Sequence, residues 1–270
     1  MDDNEQSAHQ GVPRAPLAAY FGRLAKSYGE GEYFGRRRAA AIAAIAGEIG
    51  RASTILDLGC GNGAFFRDLV RIGAAAKLVG ADLSLDMMSE ARSRLGARAH
   101  FVGADASALP FRAASWDLVF CSHVLQFVAD LDGCVSGIAR CLRPGGVLAA
   151  TLDDGSIRQI LGSIMMDEQW EEFRRTVFPA ARAGRTRSGD WGYREAFERA
   201  GLVTEIRAAP FAVTWPDIEE WVRVRWMPVV PESARADIER IMTRIGGDQR
   251  VRDLTLDHTE SLLVGRNSTG

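Results

Sequence analysis

Nine residues, Ile55-Leu56-Asp57-Leu58-Gly59-Cys60-Gly61-Asn62-Gly63, constrain the fold of this chain more than any other stretch. An apolar run of strand character enters a glycine-rich turn that opens a helix. Glycines allow the backbone to bend at positive φ and to approach a ligand closely, and the helix start offers free N–H donors. A tight strand-to-helix turn without a ligand is the alternative. Gly59, Gly61 and Ala64 also satisfy a dinucleotide-binding pattern, so the turn alone does not separate nicotinamide cofactors from other adenosine cofactors.

The segments after this turn repeat its logic. TILDL, KLVGAD, HFVGAD, WDLVFCS and GVLAATL read as strands, separated by amphipathic helices starting near Ala64 and Leu85 and one ending near Leu142. Such alternation predicts an α/β fold, a doubly wound and mostly parallel sheet with helices on both faces. A helix near 190–200 stopped by Gly201, a strand near 202–213 and a last strand at SLLVGR complete the pattern. About 45 residues separate those two strands, more than a hairpin loop needs, so they are read as a helical insertion that covers something. Before the glycine turn, residues 1–14 are polar and expected to be disordered, and helical periodicity spans 16–28 and 33–49, ending at Gly50. The expected organisation is a tail (1–14), a helical arm or lid (15–50), and a main domain (51–270) with cap or substrate insertions near 155–190 and 214–250.

Composition excludes some classes. Thirty-three basic against 35 acidic residues leave a net charge of −2, so no general attraction to nucleic acid is expected. No apolar run approaches the roughly 18 residues of a membrane span, and the acidic, polar start has the wrong sign for a secretory signal. Cys60, Cys121, Cys134 and Cys141 form no C-x-x-C pair and are read as buried hydrophobes, with no metal site. The expectation is a cytoplasmic protein with no nucleic-acid or membrane partner, monomeric or homodimeric.

Two further acids follow the glycine turn. Asp82 ends the next strand, where a carboxylate can accept both ribose hydroxyls, and Asp105 ends the third, where one can meet an adenine amino group. Each alone reads as a helix cap or turn residue. Their placement at successive strand ends favours a ligand.

With ILDLGCGNG, ADLS, GADASALPF and LRPGGVL together, residues 50–152 resemble the class I S-adenosylmethionine-dependent methyltransferases. The resemblance implies a Rossmann-like seven-stranded sheet and S-adenosylmethionine as cofactor. It places Gly59, Cys60 and Gly61 beside the methionyl part and ribose, with Asp57 ordering the loop and reaching the amino group. Asp82 would hold the ribose, Leu83 and Met87 would flank the adenine, and Asp105 with the Ala106 backbone would read its edge. Ser122 and His123 would sit beside the sulfonium. The segment Tyr20-Phe21-x-x-x-Ala25-x-x-Tyr28 is similar to the start of ubiquinone-biosynthesis and malonyl-carrier-protein methyltransferases, where it folds over the cofactor. Tyr20, Tyr28 and Tyr33 are thus cofactor candidates, since aromatic faces attract cations, or else they dock a helix. Arg36, Arg37 and Arg38 read as a solvated helix face.

Methyl transfer needs alignment, and a base only where the acceptor keeps its proton. His123 is the candidate base and Asp153 the second. His100 and His258 read as structural. Trp191, Trp221 and Trp226 would wall a pocket for a flat or apolar acceptor, or simply pack the cap. Arg174, Arg175, Arg182, Arg185 and Arg187 would suit a carboxylate, a phosphate or an acyl carrier protein. The expected function is methyl transfer to O, N or C of a small molecule, as in secondary metabolism. The alternatives are a carrier-bound substrate, a cyclase-type enzyme or a sensor that binds the cofactor without methylating.

Overall fold

Strand and helix runs alternate through the chain as α1 (Arg14–Arg23), α2 (Glu32–Ala44), α3 (Ala46–Arg51), β1 (Thr54–Leu58), α4 (Ala64–Arg71), β2 (Lys77–Asp82), α5 (Leu85–Leu95), β3 (His100–Gly103), β4 (Trp116–Ser122), α6 (Leu131–Cys141) and β5 (Leu142–Thr151). There follow α7 (Tyr193–Arg199), β6 (Leu202–Thr214), α8 (Trp215–Arg225), α9 (Glu232–Gly246), α10 (Gln249–Arg252) and β7 (Thr255–Asn267). The computed structural model describes residues 14–151, 192–225 and 232–268, with 160, 162, 168, 170–173, 175 and 227 between them.

The sheet runs β3-β2-β1-β4-β5-β7-β6, with β1 to β5 parallel and β7 antiparallel to both its neighbours. Alternation along β1 sends Ile55 to one face and Leu56 and Leu58 to the other, so the strand is buried on both sides. Leu56 joins Val119, Val135, Ile138 and Phe197 under α6 and α7. Ile55 joins Ile42, Ile45, Phe66, Leu69 and Phe120 under α2 and α4. Strand order reverses between β1 and β4, which opens a crevice at the strands' carboxyl ends.

The arm differs from the uniform helices its periodicity predicts. Residues 33–49 divide at Ile45, whose φ of −121° and ψ of 21° leave the helical region. Ile45 is fully buried against the sheet, and packing overrides propensity there. The helix passes through Gly50 and stops at Arg51, while α1 ends at Arg23, short of Tyr28. The last strand begins six residues before SLLVGR and pairs with β6 from Leu202↔Asn267 to Thr214↔Thr255.

The insertion between β6 and β7 has its own core: Trp215, Ile218 and Val222 of α8 meet Ile238, Ile241 and Ile245 of α9, with Tyr33 and Phe34 of α2. Arg36, Arg37 and Arg38 correct the expectation of a solvated face. Arg36 pairs with Asp217 of α8, Arg37 with Glu260 of β7, and Arg38 with Asp68 of α4. Successive helical residues point about 100° apart, so three arginines in a row reach three elements.

Candidate active site

A cavity of about 350 Å³ opens at the carboxyl ends of the central strands and lies within the range of small-molecule sites. Gly59 lines it at φ 74°, and a Cβ there would fall 2.1 Å from Val124 Cγ2. Only glycine fits. The next turn residue, Gly61, donates its N–H to Asp82 Oδ2 at 2.8 Å, while Ser84 N–H meets Oδ1 at 2.8 Å. The end of β2 therefore holds the glycine loop of β1. Burial raises the pKa of Asp82, opposed by the N–H groups of Ser84, Gly61 and Leu83. Asp57 is pushed well above the usual carboxylate range, first by burial and then by the charge of Asp82. Two buried carboxylates raised in this way favour a cationic ligand nearby.

Leu83, Met87 and Ala106 make an apolar wall beside Asp82. Asp105 accepts from Ser107 N–H at 2.8 Å and pairs with Arg14 of α1. From the arm, Leu17, Ala18, Phe21 and Tyr28 close the cavity, and Phe21 meets Phe127 edge-on at 5.6 Å. At the far side stand Ser122, the last residue of β4, and His123, just past it. The His123 backbone has φ 53°, rare for a side-chain-bearing residue and typical of functional sites. Its Nε2 lies 2.6 Å from Oε1 of Glu260, which also accepts from Arg37 Nε at 2.9 Å. Burial works to raise the Glu260 pKa, but the Arg37 and His123 charges and hydrogen bonds hold it at about 2.

Of the residues singled out from sequence, Tyr28, Gly59, Gly61, Asp82, Leu83, Met87, Asp105, Ala106, Ser122 and His123 line this one cavity. Tyr20, Tyr33, Asp57 and Cys60 stand outside its lining. Tyr33 is buried between Phe34 and Phe211, and Tyr20 packs edge-on against Phe21. Asp57 and Cys60 lie buried beneath the loop. Trp221, half-buried, packs on the cap's core instead of the cavity. Asp153, Trp191 and Trp226 lie outside the described residues. Among the described residues no cluster has the make-up of a metal site, and no helix is long and apolar enough to cross a membrane.

Sequence reasoning missed three contributors. Asn62, 2% exposed, donates through Nδ2 to the carbonyls of Ala25 at 2.9 Å and Tyr28 at 2.7 Å, tying the arm to the loop. Its signal was an amide, with two donors, inside the glycine turn. Glu260 and Arg37 are remote in sequence from His123 and gave no local sign.

Residues 56–150 match the family described as a methyltransferase domain. The chain is 37% identical over 153 residues to a malonyl-[acyl-carrier protein] O-methyltransferase of Pseudescherichia vulneris, covering 55% of this chain and 58% of that one. It is 36% identical over 121 residues to a trans-aconitate 2-methyltransferase of Acidovorax sp., covering 44% and 46%. The chain thus spans about half the length of these curated relatives. The YcgJ protein of Bacillus subtilis shares the fold at a TM-score of 0.58 and 15% identity, over 86% of this chain and 99% of that one. These matches identify residues 56–150 as a methyltransferase domain, set in a seven-stranded sheet whose glycine loop follows its first strand.

Proposed function

We propose that the chain binds S-adenosylmethionine in this cavity and transfers its methyl group to O, N or C of a small molecule. The observation that carries the reading is the convergence of the Gly59–Gly61 loop, Asp82, Asp105 and His123 on one cavity. When bound, S-adenosylmethionine supplies a methyl on a positive sulfur that departs as a neutral thioether. Asp82 accepts from the ribose hydroxyls, Leu83 and Met87 flank the adenine, and the Asp105–Ala106 turn reads its edge. Asp57, beneath the loop, lends negative charge to the cationic end. His123 is the base for an acceptor that arrives protonated.

The acceptor enters between arm and cap, above β4 and β5. The test is calorimetry with S-adenosylhomocysteine, followed by release of S-adenosylhomocysteine from S-adenosylmethionine over a metabolite panel. Binding and release support methyl transfer. Binding without release supports a sensor, and conversion of a substrate with the methyl retained supports a cyclase-type enzyme. The similarity to an enzyme named for malonyl-[acyl-carrier protein] supports a carrier-bound acceptor as the second reading. Turnover only when an acyl group is loaded on its carrier protein would select it.

A further inference from the structure

The groups behind His123 take no part in holding a nucleoside. Glu260 Oε1 stands 2.6 Å from His123 Nε2 and takes the Arg37 Nε–H at 2.9 Å, on a side chain only 5% exposed. An ionised carboxylate can only accept, so the neutral His123 ring must carry its proton on Nε2. Nδ1 is then the lone-pair nitrogen of a residue that lines the cavity. The backbone at His123 is left-handed, its N–H bonded to the Thr151 carbonyl at 3.2 Å, and its ring meets Glu260 of β7.

We propose that Glu260, backed by Arg37, is a positioning residue that leaves Nδ1 of His123 free to take a proton, and that the acceptor is therefore a neutral O–H or N–H nucleophile. This rests on the methyl-transfer reading of the same cavity. The acceptor's proton passes to Nδ1. The bonding pair it leaves stays on oxygen or nitrogen, which forms the new bond to the methyl carbon as the methyl–sulfur bond breaks and its pair remains on the departing thioether sulfur. The imidazolium keeps its Nε2–H bond to Glu260 until water removes the proton. A carboxylic acid is already ionised near neutral pH and needs no such group. The Arg37 charge, which a carboxylate acceptor would use, is matched by Glu260.

Among the described residues, the charged and titratable groups around His123 are Glu260 from β7, Arg37 from α2 and Tyr28 from the arm, with Tyr33 behind Arg37. The experiment uses the full chain labelled with 15N-histidine; only four histidines are present, and His123→Asn identifies the signal. Where the ring is neutral, the expected result is a proton on Nε2, shifted downfield by the carboxylate and moved back in Glu260→Gln. In an acceptor panel of phenols, alcohols, amines and carboxylic acids, the hydroxyl or amine members should turn over. Glu260→Gln should then lower kcat about 10–100-fold at nearly constant KM, and the loss should shrink as rising pH deprotonates the acceptor. A merely structural role would show no such recovery. If Glu260→Gln fails to fold around an unpaired Arg37, the double variant Arg37→Met, Glu260→Gln replaces it.

A ring proton on Nδ1, turnover confined to carboxylic acids, or an undiminished kcat in the variant would overturn the proposal. The tautomer is decided without cofactor or acceptor. Failure to bind S-adenosylhomocysteine, read by calorimetry on the same sample, would instead overturn the cofactor reading.

Discussion

Asp82 accepts a 2.8 Å hydrogen bond from the backbone N–H of Gly61, so the acid at the end of one strand holds the glycine turn of its neighbour. Loop and strand end are one unit. Asp82→Ala separates them, and S-adenosylhomocysteine affinity should fall by about 1–3 kcal/mol. Asp82→Asn keeps an acceptor for Gly61 and should lose less. Calorimetry reads both, and an unchanged Kd in the Ala variant would remove Asp82 from the site.

Proton-linked cofactor binding is predicted from Asp57. Burial and the Asp82 charge raise its pKa, and a cation in the cavity lowers it again. Binding of S-adenosylmethionine should therefore release protons and tighten as pH rises toward the free-state pKa. S-adenosylhomocysteine lacks the sulfonium charge and should release fewer. Calorimetry in buffers of differing ionisation enthalpy measures the release, and equal values for the two ligands would separate Asp57 from the sulfur.

Asn62 holds the arm to the loop through the carbonyls of Ala25 and Tyr28. Hydrogen exchange across residues 15–34 should slow when S-adenosylhomocysteine binds, because the arm covers the cavity. Asn62→Ala should speed exchange at 24–30 even without ligand, as two carbonyls lose their buried donor. Identical protection with and without ligand would make the arm plain packing.

Glu260 sets an acid limit on the fold. Its folded pKa of about 2 lies below the ordinary 4.5, so its pairing stabilises the fold above pH 4.5. That contribution is lost as pH falls through 2. In Glu260→Gln, stability measured by denaturant titration should change less steeply across this window. An unaltered slope would mean that Arg37 does not hold the charge.

The parallel sheet and the convergence of the strand-end residues on one cavity were legible because both depend on local pattern. Each strand run carries its own alternation, and each cavity-lining acid sits near a strand end that the pattern itself marks. The break at Ile45 was not legible, since nothing in AAAIAAIAGE opposes a continuous helix until the sheet demands that Ile45 be buried. Arg36, Arg37 and Arg38 misled for a related reason. Consecutive charges look solvated when read along the chain, yet each finds a carboxylate from α8, β7 or α4.

The sequence by itself determined the class of fold, the glycine loop and the acids at the ends of β2 and β3, because residues within a strand–turn–helix unit face one another by covalent geometry. Only the tertiary structure decided what stands behind His123. Glu260 is 137 residues away along the chain and Arg37 lies on the opposite side in sequence. They meet there because the antiparallel pairing of β6 and β7 and the packing of α2 on that ribbon bring them together. Ion pairing in a buried place then locks the arrangement, and no local periodicity encodes it.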